Sequence, residues 1–327
     1  MMTTQERFAT TVVPGPDQAL ALELVRVTEA AAIVAGRGGG RRNGGTAAAV
    51  AMHERLMSAP VRGTVVIGEG ERTGAPVLSA GDAVGAGDGP VCDLGVSVGG
   101  GPAPATGEPI PLVAIAVAGG GALYAPPPAA LVEQLAAGPD CADVVDITRP
   151  VAENLRAVAA VRRVRVPDLE VAVLGGARHP EAANEVREAG ARVRALQGGG
   201  IAGAIAAARP ESPVDLLLGT GGAAEGVIAA AALSCLGGSL QLRLCSDGVD
   251  EVLHTRDLVR GGRVLFCATG VTTGELLHGV RYHPGRATTW SVVLSSEPDT
   301  VRMVESEHRL ARPPYCPNER LVDLPQG

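Results

Sequence analysis

The sequence predicts an α/β protein made of layered sheets and packed helices, and three observations carry that expectation. Between residues 150 and 246, apolar strand-like runs alternate with helix-like segments, the pattern of parallel α/β units. Short β-branched runs such as Gly63-Thr-Val-Val-Ile-Gly68 end in glycine-rich turns, as buried strands do when they run into loops. The chain is rich in Ala, Gly and Val, and only 2% of it is aromatic. Its core must therefore be built from small aliphatic side chains, with helices lying close to sheets.

The elements follow in order. Residues 1–16 read as a loose tail. Asp17 to Gly36 reads as a helix: Asp17 can cap its start, Leu20, Leu22, Leu24, Val25 and Val27 recur at helical spacing, and Gly36 ends it. Residues 36–45, with their glycines and arginines, read as a loop, and Thr46–Met57 as a second helix. Gly63–Gly68 is a buried strand, and further strands are expected at 91–97, 111–118, 169–175, 191–196, 213–218, 240–246 and 262–269. Helices are expected at 127–137, 150–159, 179–189, 201–208 and 222–236. From 278 to 309 short strands follow, Thr288–Leu294 among them. A seam near residue 145 divides an N-terminal α/β half, 17–145, from a C-terminal one, 146–309, and 310–327 reads as a Pro-rich exposed tail.

A length of 327 residues fits one or two domains. The glycine has no triplet period, so it does not mean collagen. No apolar run reaches the roughly eighteen residues of a membrane span. A net charge of −7 without a basic patch, together with few aromatic rings for stacking, argues against nucleic acid. No lysine occurs, so all 28 basic residues are Arg. That excludes a lysine Schiff base, and any anion clamp must use Arg, backbone N–H groups or helix N-termini. The six cysteines are scattered without a C-x-x-C pair and read as buried thiols of a reducing compartment. The N-terminus lacks the apolar stretch of a secretion signal, so the expected location is the cytoplasm.

Three turns can carry chemistry. Ile67-Gly-Glu-Gly-Glu71 follows a buried strand; Glu69 and Glu71 there are either oxygen donors for a hard cation or the acids of a solvated turn. Leu218-Gly-Thr-Gly-Gly-Ala-Ala-Glu-Gly226 leads from a strand into a helix. Its N–H groups can face an anion, while Glu225 in the first helical turn is either a ligand or a residue that favours the helix dipole. Leu174-Gly-Gly-Ala-Arg-His179 ends another strand. Arg178 can grip a phosphate bidentately, and His179, before Pro180, reads as a cap or surface residue. No zinc spacing, nucleophile elbow or P-loop signature is present.

In this order the motifs resemble the class II, GlpX-type fructose-1,6-bisphosphatases of the lithium-sensitive sugar phosphatase fold. Besides these turns, the resemblance rests on Glu23-Leu-Val-Arg-Val-Thr-Glu-Ala-Ala-Ala, on Ala75-Pro76, and on Phe266-Cys-Ala-Thr-Gly-Val-Thr-Thr-Gly-Glu-Leu-Leu, and it spans roughly residues 18–309. It implies a layered sugar-phosphatase-type fold with two mixed or parallel sheets. It also implies release of the 1-phosphate of fructose 1,6-bisphosphate by carboxylate-held Mg²⁺ or Mn²⁺, assembly as a homodimer or tetramer, and, in some members, action on sedoheptulose bisphosphate. Carried over residue by residue, Glu69 and Glu225 match metal carboxylates, Asp93 matches an acid in its strand, Arg178 a phosphate-binding arginine and Gly222 a substrate-contacting backbone position.

Other places depart from the family pattern. Where the family has metal-binding acids this chain has Gly45, Ser97 and Gly100, and Pro102 replaces the Thr that positions the water. The sugar-gripping Asp-Gly-Asp falls on Gly198 to Gly200, a phosphate-binding Lys on Gly176, and a substrate Tyr near Leu131. No Asp occurs between Asp17 and Asp82, or between Asp168 and Asp215. These departures lead to an expectation that metal-dependent phosphatase activity is lost or strongly weakened and that no metal binds tightly. Glu69 and Glu225 would then be remnant ligands of a protein that binds a phosphosugar or a partner such as an active paralogue. Two readings stay open beside it. One is a repurposed metal-free enzyme acting on a sugar or specialised metabolite, with Glu69, Glu71, Asp93, Arg178 and Glu108 as acids, bases or anion binders. The other is a still-active fructose-1,6-bisphosphatase of gluconeogenesis.

Overall fold

A computed structural model describes residues 16–37, 42–99, 110–127, 130–175, 180–196, 199–246 and 249–310. The chain begins with α1 (Pro16–Arg37), α2 (Arg42–Leu56), β1 (Arg62–Ile67), α3 (Gly70–Thr73), β2 (Ala83–Val84), β3 (Val91–Ser97), β4 (Leu112–Gly119) and β5 (Leu131–Ala137). The middle runs through α4 (Val151–Arg162), β6 (Glu170–Leu174), α5 (Pro180–Glu188), β7 (Arg192–Ala195), α6 (Gly200–Ala208), β8 (Leu216–Gly222) and α7 (Ala223–Leu236). It ends with β9 (Ser239–Ser246), β10 (Val249–His254), α8 (Thr255–Leu258), β11 (Leu265–Gly270), β12 (Arg281–His283), β13 (Arg286–Ser296) and β14 (Asp299–Arg309).

These strands make two mixed sheets. The first has eight strands in the order β12-β13-β11-β4-β3-β1-β2, with β14 along the other side of β13. Its β1 and β3 are parallel, and its remaining pairings are antiparallel. The second has six strands in the order β10-β9-β5-β8-β6-β7, with β6 parallel to β7 and β8 and with β5 antiparallel to both of its neighbours. Apolar side chains of α1 and α2 bury one face of the first sheet. The helices α6 and α7 lie between the sheets, and α4 and α5 cover the outer face of the second. The expected layered α/β architecture is thus present, in the succession helices, sheet, helices, sheet, helices.

The composition explains the middle layer. A helix held between two sheets must be apolar all round. Accordingly Ile201–Ala208 of α6 and Gly226–Leu233 of α7 are buried without interruption. Most of these residues are Ala, which keeps the layer thin. Among the described residues no helix is long and apolar enough to cross a membrane.

Some elements differ from their sequence reading. The segment 127–137, expected as a helix, contains the strand β5, central in its sheet. Residues Val132 and Ala136 point to the core between the sheets, and Leu135 and Ala137 to the opposite core. This period of two suits a strand hydrogen-bonded on both sides, and pairing with β8 and β9 overrides the local helix propensity of Leu-Val-Glu-Gln-Leu-Ala-Ala. The helix α2 starts at Arg42, inside the expected loop, with Gly44 and Gly45 buried. The short strands expected after 278 include an 11-residue pair, β13 and β14, whose mutual hydrogen bonding extends each beyond its apolar stretch. The chain enters the second sheet at β5 and returns to the first at β11, so the sheets do not divide at residue 145. The two tails fall outside the described residues, apart from Pro16, which opens α1, and Leu310, which follows β14.

Cys92, Cys141, Cys235 and Cys267 are buried free thiols. Burial pushes Cys92 up to about 11 and Cys235 and Cys267 up to about 12, so they serve as small apolar core residues.

Candidate functional site

The turn after β1 is shaped by what passes beneath it. The N–H groups of Glu69 and Gly70 both donate to the Leu78 carbonyl, at 2.8 and 3.1 Å. A Cβ on Gly68 would sit 2.1 Å from that carbonyl oxygen, and one on Gly70 would lie 2.4 Å from Ser79 Oγ. The glycines flanking Glu69 therefore admit the returning 77–79 segment, a reason distinct from metal approach. Gly68→Ala is expected to destabilise the fold by about 3 kcal/mol, the upper range for overpacking, because the clashing atom is backbone and cannot swing away. The midpoint of urea unfolding measures this, and an unchanged midpoint would contradict it.

The turn holds Glu69 at 3% exposure against the C-terminal end of β3. Glu69 Oε1 accepts the Val98 N–H at 3.2 Å. Arg72, three residues on, donates from Nε to Glu69 Oε2 at 2.8 Å, from Nη2 to Oε1, and from Nη2 to the Gly99 carbonyl. Glu225 is near enough for its charge to act on Glu69 and Arg72 alike. Burial pushes the Glu69 carboxyl up, Arg72 pulls it back, and Glu225 adds to the rise. For Arg72 burial works against the cation, but the two carboxylates more than offset it and hold its value above normal. The two partners thus lean differently, Glu69 towards its proton and Arg72 towards the ion pair. Two N–H bonds from one guanidinium and a third from Val98 are the setting of an ionised carboxylate, so the pair is ionic.

The other side of the site comes from α7. Its Ile228 packs where a Cβ on Gly95 of β3 would lie 3.1 Å away. Ser97 is two residues further along β3, Glu225 one turn earlier on α7, and both steps lead to the same end of the sheet. Ser97 is buried there. Gly222 caps α7 without a side-chain bond, and its carbonyl accepts Gln134 Nε2 at 3.1 Å. The amide of Gln134 lies 2.7 Å from where a Cβ on Gly221 would be, which explains that glycine.

The structure therefore brings together Glu69, Glu225, Ser97 and, through the start of α7, Gly222. Gly45 faces the same turn, its Cβ direction 3.4 Å from Thr73 Cγ2. Leu131 pairs with Gly222 and is 53% exposed, and Gly200 opens α6 against Leu174. Asp93 stands apart: it lies four residues before Ser97, about 13 Å along the strand. Its Oδ2 accepts the Leu123 N–H at 3.0 Å. Glu71 lies within α3. Residues Arg178 and His179 are outside the described residues, as are Gly100, Pro102, Glu108, Gly176 and Gly198.

Two residues here escaped the sequence reading. Arg72 carried a signal, its i,i+3 spacing from Glu69 on a helical turn. Gln134 carried none, because its segment read as a helix. Among the described residues no three His, Cys, Asp or Glu side chains gather in a group that could hold a metal ion.

Comparison with known proteins decides the family. The profile of the bacterial, glpX-encoded fructose-1,6-bisphosphatases matches residues 18–308. This chain belongs to the class II fructose-1,6-bisphosphatase family. The class 2 fructose-1,6-bisphosphatase of Haemophilus influenzae is similar to it at 35% identity over 90% of this chain and 97% of that protein. Proteins of two Synechococcus strains, JA-2-3B'a(2-13) and JA-3-3Ab, named D-fructose 1,6-bisphosphatase class 2/sedoheptulose 1,7-bisphosphatase, are each similar at 36% identity over 89% of this chain and 96% of theirs. The class II bisphosphatase resemblance of the sequence is thereby confirmed across nearly all of the described chain.

Proposed function

We propose that this member of the class II bisphosphatase family binds an anionic, phosphosugar-type ligand and has lost, or nearly lost, metal-dependent hydrolysis. The observation that carries the reading is the engagement of Glu69: each of its oxygens accepts from Arg72, and one also from Val98. A divalent ion needs several oxygen donors with free lone pairs. The described residues around Glu69 and Glu225 do not supply them, with Gly45 and Ser97 in the places of acids. The described residues do not fit Mg²⁺ or Mn²⁺.

What the chain keeps is a means of holding anions through backbone. The helices α6 and α7 both start at glycine caps, Gly199 and Gly222, that make no side-chain capping bond. Their first N–H groups and the positive ends of the helix dipoles suit a phosphate. Gln134 fixes the Gly222 peptide from below, and Leu131 offers an exposed apolar wall beside it. The names of the relatives point to fructose and sedoheptulose bisphosphates as the first ligands to try.

The test pairs turnover with binding. Purified protein with fructose 1,6-bisphosphate and Mn²⁺ is expected to release no phosphate above the blank. In EDTA the same sugar should raise the melting temperature, since ligand at a hundred times its Kd adds about 2.7 kcal/mol of stability. Release of phosphate that needs Mn²⁺ and disappears in Glu69→Gln would overturn the reading.

A further inference from the structure

We propose that Arg72 is the resident cation of this site: its guanidinium engages both oxygens of Glu69, closes that carboxylate to divalent metal, and fastens the end of β3. The inference deepens the reading above and rests on it in one respect only, the identity of the site.

The geometry argues for a built-in role. Arg72 engages Glu69 with Nε and Nη2, and its Nη2 also reaches the Gly99 carbonyl, while Glu69 receives the Val98 N–H. One ion pair thus ties the turn after β1 to two consecutive residues after β3. Glu225 adds a second negative charge that favours the Arg72 cation. The side chains of Glu69 and Arg72 are 4% and 28% exposed, so water screens their attraction only in part. For a metal to bind Glu69, the ion must displace a planar fork that matches the carboxylate, and it must leave the arginine charge beside its own. Without Arg72, the charge of Glu225 acts on a Glu69 carboxylate that has lost its bidentate cation, which favours another cation at Glu69.

Electron paramagnetic resonance of Mn²⁺ added to the EDTA-stripped protein tests this, since bound Mn²⁺ loses the sharp six-line signal of the free ion. The wild-type protein should leave the signal unchanged, whereas Arg72→Met, with Glu69 released, should diminish it. Its affinity should be at least about tenfold above wild type, roughly the 1.4 kcal/mol that a factor of ten represents. Adding Glu69→Gln to Arg72→Met should abolish the gain. If Arg72→Met does not fold, Arg72→Gln, which keeps donors but no charge, replaces it. Stoichiometric Mn²⁺ binding by wild type that Glu69→Gln removes would overturn the proposal, and so would a folded Arg72 variant that gains no Mn²⁺. Phosphate release measured on the same samples separates the two readings. Hydrolysis by a wild type that binds no Mn²⁺ would sink the proposed function and leave Arg72 in its role. Mn²⁺ binding without hydrolysis would do the reverse.

Discussion

Glu69→Ala is expected to lower the unfolding free energy by about 3 kcal/mol, the lower end of what breaking a buried ion pair costs. The loss arises mainly from Arg72. Without Glu69 that guanidinium keeps the Gly99 carbonyl but loses its bidentate carboxylate, and it cannot shed its proton. Its partial exposure keeps the cost from being larger. Arg72→Met should cost less, because the Glu69 carboxyl, already pushed up by burial, can take a proton once the cation is gone. The double variant should be more stable than the sum of the singles implies, and denaturant unfolding of all four proteins gives the coupling. If Glu69→Ala costs less than about 1 kcal/mol, the pair behaves like an exposed surface bridge and the account of the site fails.

The second large effect lies in the core. Phe266→Ala is expected to cost about 3–5 kcal/mol, as for other buried aromatic truncations. Phe266 is fully buried on β11, between Ala116 of β4 and Leu294 of β13, facing the core between the sheets. The core it faces is rich in alanine. Alanines have no side-chain freedom with which to collapse into a cavity, so the void should persist. Calorimetric unfolding measures the loss, and a cost near 1 kcal/mol would mean that the α7 layer moves in to fill the space.

The two variants also mark what a reader of the sequence can and cannot see. The strand Gly63–Gly68, the helices over α4 to α7 and the strands β3, β4 and β6 to β9 follow local patterns of apolar period and glycine stops, and these recur in the structure. The segment Leu131–Ala137 did not, because its pattern suits either period and only pairing on both edges makes it a strand. The glycines around Glu69 were legible as a turn. That they clear the path of the 77–79 segment was not, since the clash is with residues about ten positions on.

By itself the sequence determined the chemistry available: a chain without lysine, with a core of small side chains, with glycines or serine where its family resemblance implies acids, and with Glu69 and Glu225 retained. These are matters of composition and position, and no folding is needed to read them. Only the tertiary structure decided which of those groups meet. The turn after β1, the end of β3 and the start of α7 converge because β1 and β3 run parallel and Gly95 lets α7 lie against them. Glu69, Arg72 and Glu225 thereby become a single cluster of charge. Coulomb attraction depends on distance in space, and a separation of more than 150 residues between Glu69 and Glu225 leaves no trace of that distance in the order of the chain.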